Sequence, residues 1–109
     1  MARSFWYWAP GGSRIATAVL QVIVNIIDFG MNVQDAIDFP RVHHQWKPDL
    51  VEFQSGVSPD TVALFKRMGH QVEEAHPRVP ARVEAIDVSD AWLQGGHDGR
   101  GSMGKAAGY

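Results

Sequence analysis

The hydrophobic pattern is strongest over residues 15–29, where it predicts a helix. Polar side chains recur there at helical spacing and form one narrow stripe: Thr17, Gln21, Asn25 and Asp28. Nearly all other positions are Ile, Val, Leu or Ala, which is typical of a helix covered on most of its sides. The stretch is shorter than the ~20 apolar residues that span a bilayer, so we predict no membrane span.

The rest of the pattern predicts short strands and two more helices. Asn32 is a suitable cap for a helix over 33–38, and the Ser58-Pro59-Asp60 segment is typical of the start of another. Strands are predicted over 4–9, 41–46, 50–53, 71–75, 83–88 and 91–93. The expected fold class is α+β. The long helix either packs on a sheet of a compact domain or is covered by parts of a larger protein.

Composition narrows the function classes. The chain has 109 residues, enough for one domain, with 10 basic and 12 acidic side chains and a net charge of −2. Without a basic excess, we expect no nucleic-acid partner and no anionic membrane surface. Cysteine is absent, which excludes a disulfide framework, a thiolate metal site and a cysteine nucleophile.

The segment Pro10-Gly11-Gly12-Ser13-Arg14 is the first candidate for chemistry. Two glycines directly before a helix expose consecutive backbone N–H groups, and the helix N-terminus adds partial positive charge. Aimed at a carbonyl, these groups can form an oxyanion hole. The alternative interpretation is a plain turn with Ser13 as the helix cap. No Gly-Lys-Ser/Thr follows, so the segment is not a phosphate-binding Walker loop.

The other polar clusters favour structural roles. On a strand, His43 and His44 point to opposite faces and cannot share a metal ion, so hydrogen bonds to neighbours are expected. Asp35 and Asp38 fit helix-start charge better than a catalytic carboxylate pair. Asp98 and Arg100 are expected to form an ion pair that stabilises a turn. We predict no metal, no cofactor and no nucleophilic serine.

Six motifs then occur in a recognisable order: Pro10-Gly11-Gly12-Ser13-Arg14-Ile15, Asp28-Phe29-Gly30-Met31-Asn32-Val33, Ala36 to Pro40-Arg41, His43-His44-Gln45-Trp46 with Pro48-Asp49, Ser58-Pro59-Asp60-Thr61, and Lys105-Ala106-Ala107-Gly108-Tyr109. This order resembles the C-terminal part of the small subunit of γ-glutamyltransferases, also called γ-glutamyltranspeptidases or glutathione hydrolases. The resemblance covers about residues 10–109. The aromatic segment 1–9 does not fit it and is expected to be altered or non-homologous.

The resemblance implies part of an N-terminal-nucleophile hydrolase fold, in which two antiparallel sheets are stacked between helices (αββα). Members cleave themselves to expose a threonine, which takes the γ-glutamyl group of glutathione-like substrates and passes it to water, an amino acid or a peptide. The family's two glycines after the proline supply oxyanion-hole N–H groups. That role carries over to Gly11 and Gly12. The family's C-terminal end folds back onto the core, which implies a docked Tyr109.

This sequence departs from the family upstream of Pro10. None of the nine preceding residues is threonine, and the family's Ser-Ser pair that binds substrate is missing. We therefore expect a truncated form that lacks the nucleophile, is inactive alone, and has a marginally stable or self-associating fold. Its expected partners are the remainder of the small and large subunits, or a second copy.

Two alternatives stay open: a non-catalytic oligomeric interaction module, and a fragment of a related β-lactam acylase. The family is largely periplasmic, secreted or surface-anchored, which leaves the compartment of this chain open.

Overall fold

A computed structural model describes residues 4–9, 11–74, 81–100 and 104–108. The elements in chain order are β1 (Ser4–Trp8), a 3-10 turn (Gly12–Arg14), α1 (Ile15–Ile27), α2 (Val33–Asp38), β2 (Val42–His43), β3 (Val51–Phe53), α3 (Pro59–Arg67), β4 (Val72–Glu73), β5 (Glu84–Val88) and β6 (Leu93–Gly96). The predicted α+β class is confirmed. No helix among these described ranges is long and apolar enough to cross a membrane.

The first sheet has the order β1-β5-β6, and both strand pairs are antiparallel. Its two faces differ in burial because successive side chains of a strand point to opposite sides. On β5, Ala85 and Asp87 are buried, whereas Ile86 between them is exposed. Trp6 lies opposite Ile86 on β1 and is also exposed. The inner face therefore belongs to the core, and the outer face presents large apolar side chains.

The main core lies between this sheet and the helices α1 and α2. Its buried residues come from both helices, from β5 and from the segment before β5: Ala18, Val19, Val22, Ile26, Val33, Ala36, Ile37, Ala81, Val83 and Ala85. Burial of α1 is one-sided, since Leu20 and Ile27 are 60% and 58% exposed. The described residues thus cover only part of the apolar helix that the sequence predicts.

The second sheet has the order β2-β3-β4. β2 and β3 are antiparallel, and β3 and β4 are parallel. Helix α3 packs against it through a small cluster that contains Val51, Phe53 and Val62. The rings of Phe53 and Phe65 meet edge to face at 5.2 Å. This sheet places β2 beside the start of α1.

Local signals predicted several element ends. Asn32 caps α2, because its side chain accepts a hydrogen bond from the Asp35 N–H at 2.8 Å. α3 begins at Pro59 as predicted, although the Ser58 hydroxyl makes no capping bond. The prediction for Ser13 is wrong: it lies inside the 3-10 turn, and its hydroxyl donates to Gln45 instead of capping α1.

Strand boundaries were predicted less well than helix boundaries. The strand predicted over 41–46 is only Val42–His43, and the one predicted over 91–93 lies at Leu93–Gly96. The predicted strand 71–75 corresponds to Val72–Glu73, with residue 75 outside the described residues. Tyr109, which the resemblance expects to dock, also lies outside them.

Candidate functional site

A turn of residues 11–14, here called the glycine turn, leads into α1. Gly11 has φ 149° and Gly12 has φ 61°, conformations that favour glycine. The Arg14 N–H donates to the Gly11 carbonyl at 3.3 Å, and the Ile15 N–H donates to the Gly12 carbonyl. The two glycines therefore turn the chain directly into a helical segment that continues to Ile27.

Gly11 is required by space as well as by conformation. A Cβ atom at this position would lie 2.5 Å from the Ala81 Cβ and 2.8 Å from its Cα. Ala81 is buried and has itself a positive φ of 108°. At Gly12 a Cβ would meet no heavy atom within 4 Å. One glycine thus packs against the chain before β5, and the next faces open space.

Two side chains attach the glycine turn to β3 and to the segment that follows β2. The Ser13 hydroxyl donates to Gln45 Oε1 at 2.8 Å. The Arg14 guanidinium donates to both carboxylate oxygens of Glu52 on β3, at 2.7 Å to Oε1 and 3.0 Å from Nε to Oε2. The hydrogen bond to Glu52 raises the pKa of Arg14 above its ordinary value. The turn is therefore held from two sides, by Ala81 and by β2–β3.

The N–H groups of Gly11 and Gly12 have no acceptor among the described residues. They lie at the N-terminal end of a helix, where the partial positive charge favours an anionic oxygen. An open cleft of about 510 Å³ adjoins the turn and is lined by Tyr7, Gly12, Ser13 and the apolar face of α1 around Leu20. The turn thus holds backbone N–H donors without a described acceptor at the start of a helix, with Gly12 at the edge of this cleft.

The two histidines differ in burial, although only His43 lies on β2 and His44 follows its end. His43 is buried, 2.6 Å from Thr17 Oγ1 through Nδ1 and 3.0 Å from Gln45 Oε1 through Nε2. His44 is exposed and lies 3.0 Å from Asp49 Oδ1. Within the described parts of the chain, no group of three or more histidine, aspartate or glutamate side chains could hold a metal ion.

Asp35 and Asp38 both bind polar side chains near α2, and Asp35 lies in its first turn as the prediction of helix-start charge requires. Asp35 accepts from the Asn32 side chain at 2.6 Å, and Asp38 accepts from Gln34 at 3.1 Å. The predicted ion pair of Asp98 and Arg100 is confirmed at 3.2 Å. Arg100 also donates to the carbonyls of Ile37, Asp38 and Phe39, at the C-terminal end of α2.

A buried ion pair was missed from the sequence. Arg41 Nη2 lies 2.8 Å from Asp98 Oδ2, and the side chains are 2% and 0% exposed. The Arg41 guanidinium also donates to the carbonyls of Ala81 and Ile37, each at 2.8 Å. Burial lowers the pKa of Arg41, and the Asp98 charge opposes this. Because Ala81 packs on Gly11, this pair also supports the glycine turn.

Comparison with known proteins gives the family. The family model described as Gamma-glutamyltranspeptidase matches residues 5–109, a range that begins within the aromatic segment. The glutathione hydrolase proenzyme of Escherichia coli strain K12 is 44% identical over 102 residues, which are 93% of this chain and 17% of that protein. The glutathione hydrolase proenzyme of Pseudomonas sp. strain A14 is 38% identical over 111 residues, 92% of this chain and 19% of that protein.

Solved structures give the same result. An acivicin-inhibited gamma-glutamyltranspeptidase superimposes with a TM-score of 0.82 at 36% identity, covering 91% of this chain and 54% of that chain. The gamma-glutamyltranspeptidase of Pseudomonas nitroreducens complexed with L-DON superimposes with a TM-score of 0.84 at 29% identity. The match covers 97% of this chain and 56% of that chain. The architecture is thus part of the N-terminal-nucleophile hydrolase fold. The chain belongs to the gamma-glutamyltranspeptidase family, of whose full-length relatives it spans less than a fifth.

Proposed function

We propose that this chain is the C-terminal part of a γ-glutamyl-transferring or γ-glutamyl-hydrolysing enzyme, and that it supplies the oxyanion hole through the N–H groups of Gly11 and Gly12. The observation that carries the proposal is the glycine turn. Its two N–H groups have no acceptor among the described residues, and it begins a helix beside an open cleft.

The chemistry explains why such a turn suits acyl transfer. Attack on the γ-glutamyl carbonyl places negative charge on its oxygen, and fixed N–H donors stabilise that charge without reorganising during the reaction. A single donor of this kind contributes about 10²–10³ in kcat in other acyl-transfer enzymes. The donors must keep their direction, and Ala81, Gln45 and Glu52 support the turn for that purpose.

We further propose that the chain is inactive by itself. Among the described residues, Thr17 is engaged with His43 and lies within α1. Thr61 lies within α3. Neither is an N-terminal threonine, whose own amine acts as base in this class of enzyme. The remainder of a full-length family member supplies the nucleophile and the groups that bind the substrate, and γ-glutamyl compounds are its substrates.

A chimera tests the oxyanion role. This chain replaces the aligned residues of the Escherichia coli relative. The peptide bond between Gly11 and Gly12 is replaced by an ester, which removes the Gly12 N–H and weakens the Gly11 carbonyl as acceptor for the Arg14 N–H. We expect kcat for γ-glutamyl-p-nitroanilide to fall about 10²–10³-fold. An ester before Gly99, whose N–H has no described acceptor, is the matched control and leaves kcat unchanged. Equal kcat for both esters would contradict the proposal.

A second candidate is an acylase that removes β-lactam side chains. A cephalosporin acylase from Bacillus halodurans superimposes with a TM-score of 0.74 at 26% identity, covering 86% of this chain and 18% of that chain. Its sequence identity is lower than that of the glutathione hydrolases, which favours a γ-glutamyl-transferring enzyme over a β-lactam acylase. A chimera of the same design built into that acylase distinguishes the two: greater recovery of β-lactam acylase activity than of γ-glutamyltransferase activity would favour the second candidate.

A further inference from the structure

The orientation of the Gln45 amide is fixed by its contacts. Its Nε2 donates to the carbonyl of Lys47 at 2.9 Å. Its Oε1 therefore faces the other way, where it accepts from the Ser13 hydroxyl at 2.8 Å and lies 3.0 Å from His43 Nε2. One amide oxygen thus joins the glycine turn to a histidine that is 2% exposed.

The same geometry fixes the proton on His43. An amide oxygen only accepts hydrogen bonds, so His43 Nε2 carries the ring proton that points to Gln45. In the neutral ring, Nδ1 is then an acceptor. The hydroxyl of Thr17 lies 2.6 Å from Nδ1 and 3.2 Å from the Arg14 carbonyl oxygen, and in this form of the ring its single proton is donated to the nearer Nδ1. Thr17 is in the first turn of α1, so the hydrogen bonds run from Ser13 through Gln45 and His43 to the start of the helix.

We propose that Gln45 is a positioning residue for the glycine turn. Its amide oxygen holds Ser13 and selects the Nε2–H form of His43, and together they set the direction of the Gly11 and Gly12 N–H groups. The importance of that direction for catalysis rests on the proposed function. Oxyanion donors act within a narrow range of about 2.7–3.1 Å from the oxygen, so a small rotation of the turn weakens them.

The test is NMR spectroscopy of the purified 15N-labelled chain. Ring nitrogen shifts of His43 show which nitrogen is protonated, and hydrogen exchange of the Arg14 amide measures opening of the turn. Gln45→Met keeps the length of the side chain and removes the oxygen. We expect the fixed Nε2–H form to be lost and Arg14 exchange to be about two- to tenfold faster, as for loss of one hydrogen bond.

Two further variants separate positioning from a general loss of stability. Gln45→Glu keeps an acceptor oxygen, so we expect the Nε2 proton to be fixed again, with the added carboxylate charge also favouring the doubly protonated ring. Ser13→Ala removes only the hydrogen bond between the glycine turn and Gln45. We therefore expect faster exchange of the Arg14 amide, while His43 keeps its proton on Nε2. Gln71→Met is the matched control: the Gln71 side chain is exposed and makes no hydrogen bond with a described residue, and this variant should leave both readouts unchanged.

Several outcomes would overturn the proposal. One is a wild-type His43 ring that carries its proton on Nδ1 or carries protons on both nitrogens. A ring whose proton exchanges between the two nitrogens would also overturn it. Another is a rate of Arg14 amide exchange that is the same as in wild type in both Gln45→Met and Ser13→Ala. These readouts involve no substrate, so they fail independently of the proposed activity: a kinetic failure with the network intact would overturn only the oxyanion assignment.

Discussion

The Asp98→Asn substitution tests the buried ion pair of Asp98 and Arg41. Asp98 and Arg41 form an ion pair with side chains 0% and 2% exposed, and Asp98 Oδ2 also accepts from the Val83 N–H at 3.2 Å. Asparagine has nearly the same shape but no charge. It removes the carboxylate charge that contacts both Arg41 and Arg100, and a buried guanidinium that loses its nearest carboxylate is costly.

The magnitude follows from the burial. Removing one partner of a buried pair costs about 3–5 kcal/mol. We take the lower end, about 3 kcal/mol, because asparagine keeps one acceptor oxygen and Arg41 keeps its bonds to the Ile37 and Ala81 carbonyls. For a domain of this size, that free energy lowers the melting temperature by about 12–24 °C. The loss of about 3 kcal/mol is a large part of the free energy of unfolding of a typical domain, which is about 5–15 kcal/mol.

Thermal and urea unfolding followed by circular dichroism measure this loss. The matched control is Glu74→Gln, which removes the charge from an exposed pair with Lys66 whose side chains are 55% and 53% exposed. Exposed pairs contribute about 0–1 kcal/mol, so the control should unfold close to wild type. Equal losses in Asp98→Asn and Glu74→Gln would refute the reasoning that burial makes the Arg41–Asp98 pair important.

Three other substitutions test the turn and the exposed helix. Gly11→Ala should lower the free energy of unfolding by about 1–3 kcal/mol, because the new Cβ would lie 2.5 Å from the Ala81 Cβ. Gly12→Ala introduces only backbone strain of about 1 kcal/mol, since its Cβ meets open space. A larger loss of stability in urea for Gly12→Ala than for Gly11→Ala would contradict the packing of Gly11 on Ala81. Leu20→Ser should weaken self-association in sedimentation experiments while changing monomer stability little, since Leu20 is 60% exposed. A wild-type chain that is a sharply melting monomer in dilute solution would show that no association covers α1.

Features encoded by neighbouring residues were predictable from the sequence. The helix α2 has the predicted bounds because Asn32 caps it and Pro40 follows its end. The predicted difference between His43 and His44 is seen in their burial, although His44 lies just after β2. Gly11 and Gly12 before a helix indicated a turn with exposed N–H groups. In each case the signal lies within a few residues of the feature.

Contacts between distant residues were not predictable in this way. Arg41 and Asp98 are 57 positions apart, and nothing near either residue marks it as buried. The role of Ser13 was mistaken because its local position suits a cap, whereas the fold brings Gln45, 32 positions away, within 2.8 Å of its hydroxyl. Gln45 is part of the His43-His44-Gln45-Trp46 motif, but nothing among its neighbours in the sequence indicates its contact with Ser13.

The most direct test of the central claim is p-nitroaniline release from γ-glutamyl-p-nitroanilide, measured for the purified chain and for the chimera with the Escherichia coli relative, with and without glycylglycine as acceptor. We expect no release by the chain alone and release by the chimera that glycylglycine accelerates. Release by the chain alone would show that it contains a nucleophile of its own. A folded, processed chimera without release would contradict the claim that this chain supplies a working part of a γ-glutamyltransferase.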